Sequence, residues 1–195
     1  MPALELLPGT FIANCGLLRT GKTMNMVRIA QFAKLRGGMR VVTNFTCTFG
    51  DYRVRSEAEL FDKEVVSNCI LCLDEMQTIT DSREFGKNVD LTKWLIWLGK
   101  LGVVLLYTTP KFGMVDVRLR QLTGWIYLCE RRRRRSEWYT IAQLAYYGES
   151  MGDEAIGMGK TMFRQRDYWG VYDTLDRETA LASASPPKTA RPRSA

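Results

Sequence analysis

Apolar residues along this chain come in short unbroken runs more often than in alternation with polar ones. TFIANC (10–15), MRVVTNF (39–45), CILCLDE (69–75) and VVLLYTT (103–109) are such runs. Their length and content predict strands with both faces buried. Between them the period lengthens. Met24, Val27, Ile29, Ala30, Ala33 and Leu35 predict a helix that Gly37 and Gly38 stop. Trp94, Leu95, Trp97, Leu98 and Leu101 predict a second helix, with Asp90 as its cap. Residues 49–67 read as irregular with one short helix. Strands alternating with helices predict an α/β fold, a largely parallel sheet flanked by helices.

After Pro110 the order changes. VDVRLRQL (115–122) reads as a short helix, and GWIYLCE (124–130) and EWYTIAQLAYY (137–147) as two strands joined by a basic turn. This predicts an antiparallel addition at the sheet edge. From Ala180 small residues and prolines dominate, so the folded unit is placed at 1–179 and a disordered basic tail at 180–195.

Composition sharpens this picture in three places. Lys and Arg number 28 against 21 Asp and Glu, a net charge of +7, which favours a polyanionic partner. Much of the excess is local, in Arg131, Arg132, Arg133, Arg134 and Arg135. The five cysteines, at 15, 47, 69, 72 and 129, lie in apolar segments and read as buried thiols. Cys69 and Cys72 form a CxxC, but on one strand their side chains fall on opposite faces, which argues against a metal or redox pair. The longest apolar stretches fall far short of the ~20 residues that a membrane helix requires, so a soluble protein without a transmembrane segment is expected.

The candidate chemistry begins where the first strand meets the first helix. Gly16, Leu17, Leu18, Arg19, Thr20, Gly21, Lys22, Thr23 and Met24 lie there, a glycine and four residues followed by Gly-Lys-Thr. A strand delivering this loop and a helix leaving it is the context a phosphate cradle needs. Glycines let backbone N–H groups turn toward phosphates, Lys22 neutralises them, and the Thr23 hydroxyl holds Mg²⁺. About fifty residues downstream, Asp74 ends an apolar strand where its carboxylate reaches the same metal, and Glu75 follows as a base for the attacking water. The chain has no histidine, so a neutral-pH base must be a carboxylate or a lysine. Thr108 and Thr109 end the next strand as candidate sensors of the terminal phosphate. The arginine run suits DNA phosphate, with a solvated hairpin tip as the alternative.

Taken together, GLLRTGKT, VVTNF, ILCLDEMQTITDSR, the helix at 90–101, LLYTTPKFGMVDVRLRQLTGWIYLCE and YDT at 172–174 resemble the FtsK/HerA superfamily of P-loop ATPases. Within it they are most similar to genome-packaging ATPases of tailless icosahedral viruses with an internal membrane, and next to zonular-occludens-toxin-like proteins of filamentous phages. The resemblance spans roughly residues 10–175. It implies a RecA-like core, ATP and Mg²⁺, and a homo-oligomeric ring, hexamer or pentamer, that moves double-stranded DNA. It also implies a place in the host cytoplasm or at a virion vertex, beside capsid-vertex or viral membrane proteins. Arg118 and Arg120 match its D-x-R-x-R segment and would reach a neighbouring subunit's nucleotide; a solvated helix face is the alternative, and Arg83 is a weaker candidate. Where such proteins have glutamine after two threonines this chain has Pro110, which leaves Thr109 or Gln77 as the sensor.

The expectation is therefore an ATP-hydrolysing motor that packages a viral genome. A filamentous-phage-type assembly ATPase is the second reading. A small nucleotide kinase with the arginine run as its lid is the third, and Glu75 argues against it.

Overall fold

The computed structural model describes residues 6–80, 91–131, 137–146, 155–168 and 170–173. Its core is an eight-stranded sheet. The strands are β1 (Phe11–Cys15), β2 (Arg40–Thr43), β3 (Tyr52–Arg53), β4 (Cys69–Leu73), β5 (Val104–Thr109), β6 (Thr123–Arg131), β7 (Trp138–Tyr146) and β8 (Ala155–Arg164), in the spatial order β3-β2-β4-β5-β1-β6-β7-β8. From β3 to β6 all neighbours are parallel, and β7 and β8 continue the sheet antiparallel.

The unbroken apolar runs follow from burial on both faces. In β4, Cys69, Leu71 and Leu73 join one core while Ile70 and Cys72 join the other. The two CxxC thiols therefore stand on opposite sides of the sheet. Burial pushes the Cys69 thiol up to about 11 and that of Cys72 well above the usual range, so both stay protonated. One face is covered by α1 (Lys22–Gly37) through Met24, Met26, Val27, Ala30 and Ala33. Gly38 ends this helix in the left-handed region, φ 63°, and its N–H donates to the Lys34 carbonyl. The other face packs against α2 (Lys63–Val66), α3 (Met76–Thr80), α4 (Leu91–Lys100) and α5 (Val117–Leu122), through Val66, Ile79, Trp94, Leu95, Leu98 and Leu119. The Trp94 indole donates to the Leu60 carbonyl at 3.1 Å, which lets a large polar-tipped ring lie fully inside this layer.

Several elements go beyond the sequence expectation. The 49–67 stretch holds the two-residue edge strand β3 and a 3₁₀ turn at Glu57–Phe61 as well as α2. Helix α3 starts directly after the Asp74-Glu75 pair. Strand β8 has the exposed outer position of the sheet, and among its residues only Phe163 is buried, so neither an apolar run nor an alternation marks it. Beyond β8 the chain turns through a 3₁₀ segment, Gln165–Tyr168, and returns toward the far side of the cradle. There Tyr172 bridges Cys47, and the Asp173 N–H donates to the Thr46 carbonyl at 3.1 Å. The proposed tail and its boundary at 179 lie outside the described residues, as does Asp90. Among the described residues no helix is long and apolar enough to cross a membrane.

Candidate nucleotide site

The loop between β1 and α1 forms a cradle whose glycines are required twice over, by backbone and by space. Gly16 has φ 153°, and a Cβ on it would lie 2.5 Å from the Cys129 carbonyl oxygen of β6. Gly21 has φ 90°, and a Cβ there would lie 2.7 Å from the Tyr139 ring of β7. No other residue type meets both conditions. Within the loop the Thr20 hydroxyl and the Lys22 ammonium donate to the Leu17 carbonyl, at 2.7 and 3.0 Å. Burial pushes the Lys22 pKa down, and the nearby Asp74 carboxylate works against that shift. The first turn of α1 is tied to the sheet by two buried asparagines. Asn25 donates to the Asn14 side chain at 2.7 Å, and Asn14 donates to the Tyr107 carbonyl at 3.3 Å.

Facing the cradle, Asp74 accepts a hydrogen bond from the Thr23 hydroxyl at 3.0 Å and one from the Thr108 hydroxyl at 2.5 Å. Its position is set through the backbone by Asn44 at the end of β2, whose amide accepts from the Asp74 N–H at 2.8 Å and donates to the Asp74 carbonyl at 3.1 Å. Burial pushes the Asp74 carboxyl above its ordinary range, and the Thr108 and Thr23 hydrogen bonds oppose the shift. A carboxylate and a hydroxyl in mutual contact beside an anion cradle form a hard-oxygen donor pair. They fit Mg²⁺, which takes few protein ligands and fills its shell with water and phosphate oxygens. Glu75 is exposed and has φ 55°, in the left-handed region, where its N–H donates to the Thr108 hydroxyl at 2.9 Å. That backbone conformation costs energy for any residue but glycine, and Glu75 lines the cavity beside Asp74.

Gly21, Lys22, Thr23, Asp74 and Glu75 line a cavity of about 480 Å³. Its opposite wall comes from the antiparallel addition and the returning chain: Arg131 and Tyr139, then Gln165, Tyr172 and Asp173. Burial pushes the Tyr172 hydroxyl pKa up, and the charge of Asp74 adds to the shift.

The structure thus gathers Lys22, Thr23, Asp74 and Glu75 into one place, and it sets the other candidate residues in different surroundings. Of the two threonines, Thr108 touches Asp74 and the Glu75 backbone, whereas Thr109 turns away and donates to the Lys111 carbonyl at 3.1 Å. Gln77, on α3, does not line the cavity, and its side-chain oxygen is buried without a hydrogen-bond partner. Arg131, the first of the arginines expected on DNA, lines this cavity, and Arg132, Arg133, Arg134 and Arg135 lie outside the described residues, as does Arg83. Arg118 and Arg120, on α5, do not line this chain's cavity. The Arg118 guanidinium pairs with Asp116 in the same turn at 2.8 Å and holds that carboxyl below its usual range. The Arg120 Nε is buried without a partner.

Sequence reasoning missed Asn14, Asn25 and Asn44. Each is fully buried. An asparagine at the end of an apolar run is a weak signal, but Asn14 and Asn44 both occupy that position.

Neither a family model nor a curated protein sequence matches the chain. Among solved structures, the N-terminal domain of zonular occludens toxin from Neisseria meningitidis is similar over 84% of this chain and 98% of that one, with a TM-score of 0.60 at 18% identity. The flagellar accessory protein FlaH from Methanocaldococcus jannaschii is similar over 81% and 86%, with a TM-score of 0.54 at 12% identity. B204, the DNA-packaging ATPase from Sulfolobus Turreted Icosahedral Virus, is similar over 69% and 92%, with a TM-score of 0.50 at 13% identity. The fold is therefore the RecA-like P-loop NTPase fold.

Proposed function

We propose that this chain is an ATP-hydrolysing motor that moves double-stranded DNA as a homo-oligomeric ring, packaging a viral genome from the host cytoplasm or at a virion vertex. The observation that carries the hydrolytic part is the junction of Thr23, Asp74, Thr108 and Glu75 opposite Lys22. In this reading the cradle N–H groups and Lys22 hold the β- and γ-phosphates. Thr23 and Asp74 would hold Mg²⁺, which supplies charge neutralisation at the phosphate oxygens. Glu75 orients the attacking water and takes its proton. Thr108 links the two acids, so a change at the terminal phosphate reaches the backbone of Glu75.

The DNA part is supported by the charge of +7, much of whose excess lies in the run Arg131 to Arg135, and by the likeness to B204. A single experiment tests both parts. ATP turnover is measured with and without long double-stranded DNA, using Lys22→Ala as the blank. Stimulation by DNA that weakens as salt rises is expected. Turnover without any DNA response removes the motor and leaves the hydrolase.

A second reading, an assembly ATPase of the filamentous-phage type, is favoured by the fit to the zonular occludens toxin domain, which matches over 98% of its length. It predicts turnover indifferent to DNA. In either ring, Arg118 or Arg120 would act on the neighbouring subunit's nucleotide. Mixing an inactive arginine variant with Lys22→Ala then restores part of the activity, because some interfaces pair an intact cradle with an intact arginine. Mixed rings that stay inactive remove both arginines from catalysis.

A further inference from the structure

The chain that returns after β8 completes the cavity, and the hydrolytic reading gives it no task. Its stretch 171–173 is laced to the segment that follows β2. The Thr48 N–H and hydroxyl both donate to the Val171 carbonyl, at 2.9 and 3.1 Å, Tyr172 forms an antiparallel bridge with Cys47, and the Asp173 N–H donates to the Thr46 carbonyl at 3.1 Å. The Tyr172 ring stands edge-on to the buried Phe45 ring, with 6.3 Å between centroids and 79° between planes. Asn44, at the start of the same segment, makes the two hydrogen bonds that fix the Asp74 backbone. One short stretch, 44–48, therefore sets both the acid and the tyrosine, and both line the cavity that Lys22 and Thr23 line.

We propose that Tyr172 is a hydrogen-bond donor to the phosphate oxygens of the bound nucleotide, completing from the returning chain the anion site that the cradle begins. This inference rests on the reading of the cavity as an ATP site. Among the described residues the Tyr172 hydroxyl has no hydrogen-bond partner, although its ring is packed against the core. A tyrosine held in this way ordinarily finds a partner for its O–H. Burial keeps the hydroxyl protonated and the charge of Asp74 adds to this, so the group is a donor at neutral pH. The influence of Asp74 puts the hydroxyl on the side of the cavity where Thr23 and Asp74 meet, which is the side that the metal and the β- and γ-phosphates would occupy. The acceptors that a nucleotide brings there are phosphate oxygens. The assignment gives the return of the chain a function, since it carries a donor to the phosphates from the far end of the folded unit.

The test measures binding of a non-hydrolysable ATP analogue and of inorganic tripolyphosphate, each with Mg²⁺, to the full chain by calorimetry, for the wild type and Tyr172→Phe. Phenylalanine keeps the ring against Phe45 and removes the hydroxyl alone. Loss of a hydrogen bond to a charged group predicts affinity for the analogue about ten-fold weaker. Tripolyphosphate, which has no base or sugar, should weaken by the same factor. The melting temperature of the nucleotide-free protein should stay as it is, because the hydroxyl holds nothing in the fold. Unchanged affinity for the analogue would overturn the assignment. So would a loss that tripolyphosphate does not share, which puts Tyr172 on the base or sugar, and so would a lower melting temperature without nucleotide, which makes the hydroxyl a structural group. A wild type that binds neither probe would instead overturn the ATP-site reading itself, and this inference with it.

Discussion

The two walls of the cavity are built on different principles. The wall at the end of β4 carries chemistry: Asp74 and Glu75 stand there, joined to Thr23 and to the buried Thr108 of β5 behind them by hydrogen bonds of 2.5 to 3.0 Å. The wall made by β6 and β7 carries shape. The Cys129 carbonyl and the Tyr139 ring stand where a Cβ on Gly16 or Gly21 would have to go. The difference teaches that a phosphate cradle is specified from outside as well as by its own glycines. Flexible glycines permit the loop conformation, and the neighbouring strands select it by leaving no room for another.

The sharpest way to break this comparison is to damage each wall alone. Glu75→Gln should keep nucleotide affinity and lose about 10²- to 10⁴-fold in turnover, because it removes a proton acceptor and little else. Binding and single-turnover hydrolysis, measured separately, check this; an equal loss in both would place Glu75 in binding. Damage to the shape wall should have the opposite signature. Gly21→Ala carries a left-handed backbone penalty of about 1–2 kcal/mol and must displace the Tyr139 ring. Nucleotide affinity is expected to fall about ten-fold or more, with a melting temperature lower by several degrees.

The next prediction separates two adjacent residues. Thr108→Val should reduce turnover about ten-fold, since it strips Asp74 of one hydrogen bond and the Glu75 N–H of its acceptor. Thr109→Val, whose hydroxyl serves only the turn at Lys111, should stay near the wild-type rate. Equal effects would mean that the strand end is merely structural.

The smallest effect expected is on stability. Burial raises the Asp74 carboxyl above its ordinary value of 3.8, so without nucleotide the folded state holds that proton to higher pH than the unfolded chain. Its contribution to stability is therefore complete below the unfolded value and is lost as pH rises through the folded one. Asp74→Asn removes the buried charge and should raise the melting temperature of the nucleotide-free protein at neutral pH by ~2–4 °C, while weakening binding of ATP with Mg²⁺. Thermal melts from pH 4 to 8 check the sign: the gain should grow with pH. A gain that shrinks with rising pH would show that Asp74 stabilises the fold as an anion.

Set beside this structure, the sequence was most legible where the signal is contiguous. The cradle is one loop between one strand and one helix. Asp74-Glu75 ends an apolar run, and the strands of the parallel sheet are unbroken because both their faces are buried. Local chemistry and local period suffice for all of these. The antiparallel addition was legible only in part, since β7 alternates along its length and β6 buries Ile126, Tyr127 and Cys129, whereas β8 buries almost nothing and leaves no pattern to read.

What the sequence determined by itself, then, is the class of fold, the cradle and the acidic pair, because each is set by residues close together along the chain. The tertiary structure alone decided which threonine meets Asp74 and which arginine of the run lines the cavity. Successive residues of a strand face opposite sides, and the β4–β5 register, with Leu73 opposite Tyr107, is what brings Thr108 and not Thr109 to Asp74. In the same way, nothing in a run of five arginines distinguishes the first. Pairing across the β6–β7 ladder places Arg131 on Tyr139, and the packing of that ring against Gly21 brings it into the cavity beside the cradle.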